Sequence, residues 1–360
     1  MFLWIFIVIF CIAYAFFSFL AITGWKLIPQ FKSNTSNLNT FISLVICCRN
    51  EEKHLPKLLE SIKNQTYKNF ELIIANDHST DNSVTILNQF SSSFVTKIIS
   101  TEQEGKKNAL KQAIAVSNGK LIVCTDADCI LHPQHLQTLA DFYEKEHAQM
   151  ILGGVLLHPQ INFFERLQAL EFFSLIASGA GMAGIKMPIL CNGANLSFER
   201  DVWNENVLED RTASGDDQFL LFYLKKQKAK ICFLKSKEST VWTSPTPNLK
   251  SFFAQRTRWT SKSKYYTDIA TILVALLIFC YSLLQIILLV ATCINPEILS
   301  SLLVLSINKF VFDVLLLSSS LPFYQQKKLL LYSLPLSLCY PFYIVFTAIY
   351  GLCGKTKWKN

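Results

Sequence analysis

The first charged side chain in this sequence is Lys26; residues 1–25 are uncharged and mostly apolar. Roughly 20 such residues suffice for a helix to cross the hydrocarbon core of a bilayer, so this segment is expected to span a membrane. A cleaved secretory leader would open on a basic stretch before a short apolar core. Neither is present, and an uncleaved anchor is the better reading. The other end of the chain repeats the feature. Residues 269–294, 298–321 and 329–353 each read as a transmembrane helix, joined by Asn295-Pro296-Glu297 and by the turn at 322–328. Four spans are expected, one of them alternatively re-entrant or interfacial. Lys309 and Asp313 sit mid-span, one helical turn apart. Charges there are costly, so the two either neutralise each other or contact an acceptor or another subunit.

Residues 26–40 form a polar linker containing Lys26, Lys32 and Ser33-Asn34-Thr35-Ser36-Asn37. Basic residues accumulate on the cytoplasmic side of membrane proteins. The lysines after the first span, the basic stretch 250–264 and Lys327-Lys328 all fit one cytoplasmic side. Lys355, Lys357 and Lys359 then fall on the far side, against the tendency. The net charge of +8 suits anionic headgroups and phosphates. No basic stripe interleaved with aromatics occurs, so nucleic acid is not an expected partner. The 11 cysteines form no CxxC pair and no Cys/His zinc pattern. They are expected as reduced thiols packed like small hydrophobes.

From residue 41 to about 248 the pattern changes to short apolar runs alternating with amphipathic stretches. Strands are expected at 42–48, 70–75 and 121–125. Helices are expected over 55–62, over 84–90 with Asp81 as N-cap, and over 106–116, where Ala109, Leu110, Ala113 and Ile114 recur at helical spacing. Such alternation implies βαβ units on a mostly parallel sheet, with ligands at the carboxyl ends of the strands. The stretch 163–176, rich in Phe and Leu, has more apolar residues than one face needs. It is expected to lie on the membrane near an acceptor, with a core helix as the alternative.

The polar motifs fall just after the expected strands. Thr125-Asp126-Ala127-Asp128-Cys129 places two carboxylates at a strand end, able to share a hard divalent cation and a ribose. In Asn76-Asp77-His78-Ser79-Thr80-Asp81, Asp77 could accept from a nucleobase N–H. Glu104-Gly105-Lys106-Lys107 opens a helix with free N–H groups and positive charge, a setting for an anion. Asn192-Gly193-Ala194-Asn195 uses small residues that let a ligand approach the backbone. Ser214-Gly215-Asp216-Asp217 puts two acids at a helix start, as caps or as a general base. Gln255-Arg256-Thr257-Arg258-Trp259 joins the middle of the chain to its apolar end. Arginine pairs with phosphate. Tryptophan stacks on sugars or anchors at headgroups.

In order, Arg49-Asn50-Glu51-Glu52, Asp77, Asp126-Ala127-Asp128, Gly215-Asp216-Asp217 and Gln255-Arg256-Thr257-Arg258-Trp259 resemble the family-2 glycosyltransferases. That family includes cellulose, chitin and hyaluronan synthases and ceramide glucosyltransferases; its pattern is three aspartate motifs followed by Gln-x-x-Arg-Trp. The resemblance covers about residues 41–260. It implies a GT-A fold, an α/β domain with a Rossmann-like, mostly parallel sheet, here joined to transmembrane helices. It also implies a nucleotide-sugar donor (usually a UDP-sugar), inversion at the anomeric carbon and a divalent cation, Mg2+ or Mn2+. Carried over residue by residue, Arg49, Asn50, Glu51, Asp77, Lys106, Asp126, Gln255 and Arg258 would bind the donor. Asp128, with Asp126, would hold the metal. Asp217, beside Asp216, would be the base. Trp259, Asn192 and Gly193 would meet the acceptor.

The expectation is therefore an integral membrane enzyme, in a bacterial cell membrane, with residues 41–260 facing the cytoplasm. Its partners would be a nucleotide sugar, a lipid-linked or saccharide acceptor, and membrane lipids. A processive synthase that secretes a polymer is the alternative, although three C-terminal spans are few for a channel. A scaffold with a decayed transferase domain is disfavoured because all the acids are in place. A nucleotidyltransferase would not need Trp259 or Asp217.

Overall fold

The computed structural model describes residues 2–34, 38–90, 94, 96–207 and 215–353. Thr35, Ser36 and Asn37 of the linker, Ser214, and the tail lysines Lys355, Lys357 and Lys359 lie outside the described residues. In chain order the elements are α1 (Phe2–Leu27), β1 (Ile42–Cys48), α2 (Leu55–Lys63), β2 (Phe70–Asn76), α3 (Ser83–Gln89), β3 (Thr96–Ser100) and α4 (Lys106–Ala115). Next come β4 (Leu121–Asp126), β5 (Cys129–Leu131), α5 (His135–Glu146), β6 (Met150–Gly153), β7 (Val155–Leu157), α6 (Phe163–Gly184) and β8 (Leu196–Glu199). The rest are α7 (Asp216–Lys226), β9 (Ile231–Leu234), β10 (Val241–Thr243), α8 (Leu249–Ser261), α9 (Ile269–Ile294), α10 (Leu299–Ser320) and α11 (Ser333–Cys353).

These elements form two compact units. One holds Pro29–His158 and Cys191–Ser244; the other holds Met1–Ile28, Pro159–Leu190 and Pro245–Thr356. The stretch 41–260 is thus divided: α6 and α8 pack with the apolar helices.

The first unit is an α/β sheet. All seven residues of β1 and all seven of β2 are buried, the mark of strands covered on both faces. The strand order is β3-β2-β1-β4-β8-β6-β9. Strands β3, β2, β1 and β4 run parallel, whereas β8 runs antiparallel to both β4 and β6. Chain order reverses at β1, with β2 on one side and β4 on the other, which makes the β1/β4 edge the topological switch point. There Cys47 pairs with Asp126 and Cys48 with Asn76. A second, three-stranded sheet has the order β5-β10-β7.

At the opposite end of β1 and β2, the buried Glu71 accepts hydrogen bonds from Ser43 Oγ (2.7 Å) and the Asn118 N–H (2.6 Å), and pairs with Lys97 (2.8 Å). Asp81 does not cap α3. Its carboxylate accepts from the N–H groups of Ser83 (2.9 Å) and Glu52 (3.0 Å), tying two loops together, and Asn82 takes the N-cap position without a side-chain bond.

The second unit is helical. Four of its segments, Phe2–Leu27, Ile269–Ile294, Pro296–Ser320 and Lys327–Cys353, are long and apolar enough to cross a membrane. In the last of these, Lys327–Tyr332 is a 3-10 turn and α11 proper begins at Ser333. Helix α6 crosses α1 so closely that a Cβ on Gly181 would sit 2.1 Å from the Ala21 carbonyl oxygen. Small residues at such a crossing let two backbones approach and pack. The expectation for 163–176 needs correcting. Residues 168–173 are buried without a break, so their excess of apolar side chains serves packing inside the unit. Lys309 and Asp313 do pair, at 2.5 Å, and Asp313 also accepts from the Tyr14 hydroxyl of α1. The Lys309 ammonium lies 4.0 Å from the centre of the Tyr340 ring.

In the sheet unit, His135 is fully buried and neither ring nitrogen makes a hydrogen bond of normal geometry. Burial pushes its pKa down from 6.5 to about 4. Between those values the unfolded chain binds a proton that the folded chain refuses, so stability falls as pH drops through the window. The loss should reach about 3 kcal/mol. His135→Leu is expected to flatten the dependence of the unfolding midpoint on pH between 6.5 and 4 in detergent. An unchanged slope would show that His135 does not refuse the proton.

Candidate active site

The site is built where strands β1, β2 and β4 end. Past β1, Asn50 adopts a left-handed backbone (φ 52°). Its N–H donates to Ser79 Oγ (3.1 Å), while its side-chain oxygen accepts from the Thr80 N–H (2.8 Å). The Glu51 N–H donates to Ser83 Oγ (2.8 Å), and the Glu51 carboxylate pairs with His54 (2.8 Å). The β1 loop is thereby stitched to the loop after β2.

Asp77 follows β2 and is fully buried. Its N–H donates to the Cys48 carbonyl (2.8 Å). Its carboxylate accepts from the Gly105 N–H (2.9 Å) and Thr101 Oγ1 (3.3 Å) and lies 3.4 Å from Arg49 Nη1. Gly105 has φ 122°, a conformation that suits glycine, and this turn aims its N–H at Asp77. Arg49 also pairs with Glu104. Burial weakens the Arg49 charge, but the Glu104 and Asp77 carboxylates outweigh it and raise its pKa.

Lys106 opens α4 and reaches back to Asp126 at the end of β4, 2.7 Å away. Burial alone would lower its pKa; the charges of Asp126 and Asp216 more than offset that and hold it well above the ordinary lysine value. The cation is permanent, with a fifth of its side chain exposed. Asp128, two residues on, accepts from Thr243 Oγ1 of β10 (3.1 Å). Burial pushes the thiols of Cys47, Cys124 and Cys129 upward, so these cysteines stay neutral and are not nucleophiles.

Asp216 and Asp217 open α7 and divide by burial. Asp216 is 7% exposed, whereas Asp217 is half-buried. Asp217 accepts from the Gly193 N–H (3.0 Å) and from the Gln218 N–H (2.7 Å). Gly193 belongs to a short turn capped by Asn192, whose side chain accepts from the Ala194 N–H (3.0 Å). A Cβ on Gly193 would meet Asp217 at an ordinary 3.7 Å. Its immediate contact with Asp217 therefore does not demand glycine. The buried Asn195 anchors the turn by donating to the carbonyls of Gly154 (2.9 Å) and Ser239 (2.8 Å).

The sheet unit therefore brings together Arg49, Asn50, Glu51, Asp77, Lys106, Asp126, Asp128, Asp216, Asp217, Asn192 and Gly193. Gln255, Arg258 and Trp259 lie on α8 of the helical unit. Thr243, Glu104, Thr101 and Asn195 were not foreseen as supporting residues. Glu104 was legible as the neighbour of Gly105-Lys106; Thr243 carries no local signal.

Residues 43–202 match the family model for glycosyl transferase family 2. Over those residues the chain is similar to glycosyl transferase family 2. Its sheet is that of the GT-A fold. Mannosyltransferase PcManGT from Pyrobaculum calidifontis, solved with GDP-Man and Mn2+, aligns over 96% of this chain and 99% of that one, with TM-score 0.55 and 15% identity. A poly-beta-1,6-N-acetyl-D-glucosamine synthase of Staphylococcus epidermidis is 23% identical over 230 residues, 61% of this chain and 53% of that protein. An uncharacterized glycosyltransferase of Haemophilus influenzae is 32% identical over 117 residues, 32% of this chain and 36% of that protein. The chain spans about half the length of the staphylococcal synthase.

Lys106→Met would leave Asp126 without its ion-pair partner and remove the cation that the Asp126 and Asp216 charges both act on. Both Lys106 and Asp126 are partly exposed, which moderates the cost to about 1–2 kcal/mol at pH 7. Unfolding midpoints of the variant and the parent protein at pH 7 check this; an unchanged midpoint would remove the account of Lys106 as a stabilising cation.

Proposed function

We propose that this protein is an inverting, metal-dependent glycosyltransferase. It takes a sugar from a nucleotide sugar, first among them a UDP-sugar, and passes it to a lipid-linked or saccharide acceptor at the cytoplasmic face of a membrane. The observation that carries the proposal is the set of groups at the switch point of the sheet. A permanent cation, Lys106, pairs with Asp126, and Asp217 is fixed by the Gly193 N–H at the start of α7.

Asp126 and Asp128 offer half-buried carboxylates, the hard oxygen donors that Mg2+ or Mn2+ takes. Among the described residues no group of three or more His, Cys, Asp or Glu side chains could hold a metal ion. Two carboxylates therefore fit a cation whose other ligands come from a diphosphate, as Mg2+ commonly binds. When bound, such an ion would neutralise charge on the leaving diphosphate.

The chain's own residues supply the rest. Arg49, Asn50, Glu51 and Asp77 would hold the nucleoside, on loops already tied to each other. Lys106 would face the diphosphate. Gln255, Arg258 and Trp259 would contact diphosphate and acceptor. Asp217, the more exposed of the two acids, would take the proton from the acceptor hydroxyl as that oxygen attacks the far face of the sugar. Asp216, buried beside Lys106, supports the charge of the lysine. One displacement inverts the anomeric centre. A processive reading is favoured by the name of the staphylococcal relative, and product length separates the two.

The test is nucleoside-diphosphate release by the purified protein in detergent. A panel of UDP-, GDP- and dTDP-sugars is offered with Mn2+ or Mg2+ and a membrane lipid extract. One donor should give metal-dependent release that Asp128→Ala abolishes and Asp217→Asn reduces roughly 100-fold or more. Silence with every donor refutes the transferase reading. Near-normal turnover in Asp217→Asn removes that residue as the base.

A further inference from the structure

The Gln-x-x-Arg-Trp segment holds a second arginine, Arg256, which the motif leaves unspecified. It is 5% exposed, inside the helical unit. Its guanidinium forks onto Glu171 of α6: Nε lies 3.3 Å from one carboxylate oxygen and Nη2 binds the other. Its third nitrogen, Nη1, donates to the side-chain oxygen of the neighbouring Gln255 (2.5 Å). The same cation lies 4.2 Å from the centre of the Trp259 ring and 4.7 Å from that of Phe252. Glu171, 1% exposed, takes a further bond from the Tyr343 hydroxyl of α11 (2.7 Å). One turn along α8, a Cβ on Gly351 of α11 would sit 2.8 Å from Thr260 and 3.0 Å from the Thr257 carbonyl.

A charge pair taken out of water is costly and is weak evidence for stability as such. This pair is oriented, however, and what it orients is the motif. By holding the Gln255 oxygen, Arg256 sets which way that amide faces. Arg256 over the Trp259 ring fixes the plane of that ring through a cation–π contact. Only a planar fork serves Glu171, Gln255 and the ring together; a lysine is a point charge on a flexible stem.

We propose that Arg256 is a positioning residue. Clamped by Glu171 and Tyr343, it sets the side chains of Gln255 and Trp259, and the candidate membrane span α11 forms part of the clamp. The kinetic part of this claim rests on the transferase reading above.

The test uses the full chain in detergent, with Glu171→Gln, Tyr343→Phe, Arg256→Lys and Arg256→Met. The first readout is the emission of Trp259, isolated in each background by subtracting the matching Trp259→Phe protein. The second is kcat and donor KM for release of nucleoside diphosphate from the donor sugar found active. The Trp259 signal is expected to shift in all four variants. The kcat should fall roughly ten- to a hundredfold in Glu171→Gln and in both Arg256 variants, and less in Tyr343→Phe, while donor KM moves less than about threefold. Arg256→Lys should be as impaired as Arg256→Met. Full kcat in Arg256→Lys, or an unmoved Trp259 signal in Glu171→Gln, overturns the proposal. Should Glu171→Gln fail to fold, Tyr343→Phe, which loses one hydroxyl, decides through the same two readouts. If the parent protein releases nothing from any donor, the transferase reading fails and the emission readout alone decides the positioning claim.

Discussion

The ammonium of Lys106 is the interaction on which the site depends. Asp126 terminates β4 and Asp216 opens α7, and these elements are 90 positions apart in the chain by their numbers. Without a cation nearby, carboxylates in partly buried surroundings are left uncompensated. Lys106 compensates them and is itself held charged by them. The result is a strand-end cluster that keeps both charge signs within a few ångströms. Asp77 shows the contrasting solution. It is buried and its oxygens are spent on Gly105, Thr101 and Arg49, so its first task is to shape the loops that carry the site.

The helical unit follows the same rule in a drier setting. Its buried charges come in pairs with added hydrogen bonds or aromatic faces: Arg256 with Glu171, and Lys309 with Asp313. Arg256 and Glu171 join α8 to α6, whereas Lys309 and Asp313 lie one turn apart on α10 and reach α1 through Tyr14. Tyr343 binds Glu171 and Tyr14 binds Asp313, so the polar contacts select which helices neighbour one another. The apolar surroundings, which lipid would match, select little.

Much of this was legible in the sequence. The strands expected at 42–48, 70–75 and 121–125 read clearly, each within a residue of its observed end, because strands covered on both faces are continuous apolar runs. The spans read clearly because a bilayer demands long uncharged segments. The short strands β6, β7, β9 and β10 have three or four residues each, too few to show a period. The antiparallel entry of β8 leaves no local trace. Asp81 had the right residue type but lies one residue ahead of the N-cap position, which Asn82 takes; one of its oxygens holds the Ser83 N–H and the other ties in Glu52. The excess of apolar residues in α6 serves burial over residues 168–173, while Phe163 at its start stays exposed. The acids and Lys106 were named from their order along the chain. The partners Thr243 and Glu171 were not, since a contact between residues 85 apart, as Arg256 and Glu171 are, has no one-dimensional signature.

The central claim is that the β4 end and the α7 start form a nucleotide-diphosphate site completed by a divalent cation. Manganese binding, followed by electron paramagnetic resonance with and without UDP or the nucleoside diphosphate of the active donor, tests it most directly. Asp126 and Asp128 alone should bind Mn2+ weakly. The nucleotide should tighten that binding at least tenfold, and Mn2+ should tighten nucleotide binding by the same factor, as linkage requires. Mn2+ and nucleotide that bind without influencing each other, or no binding of either, would contradict the account.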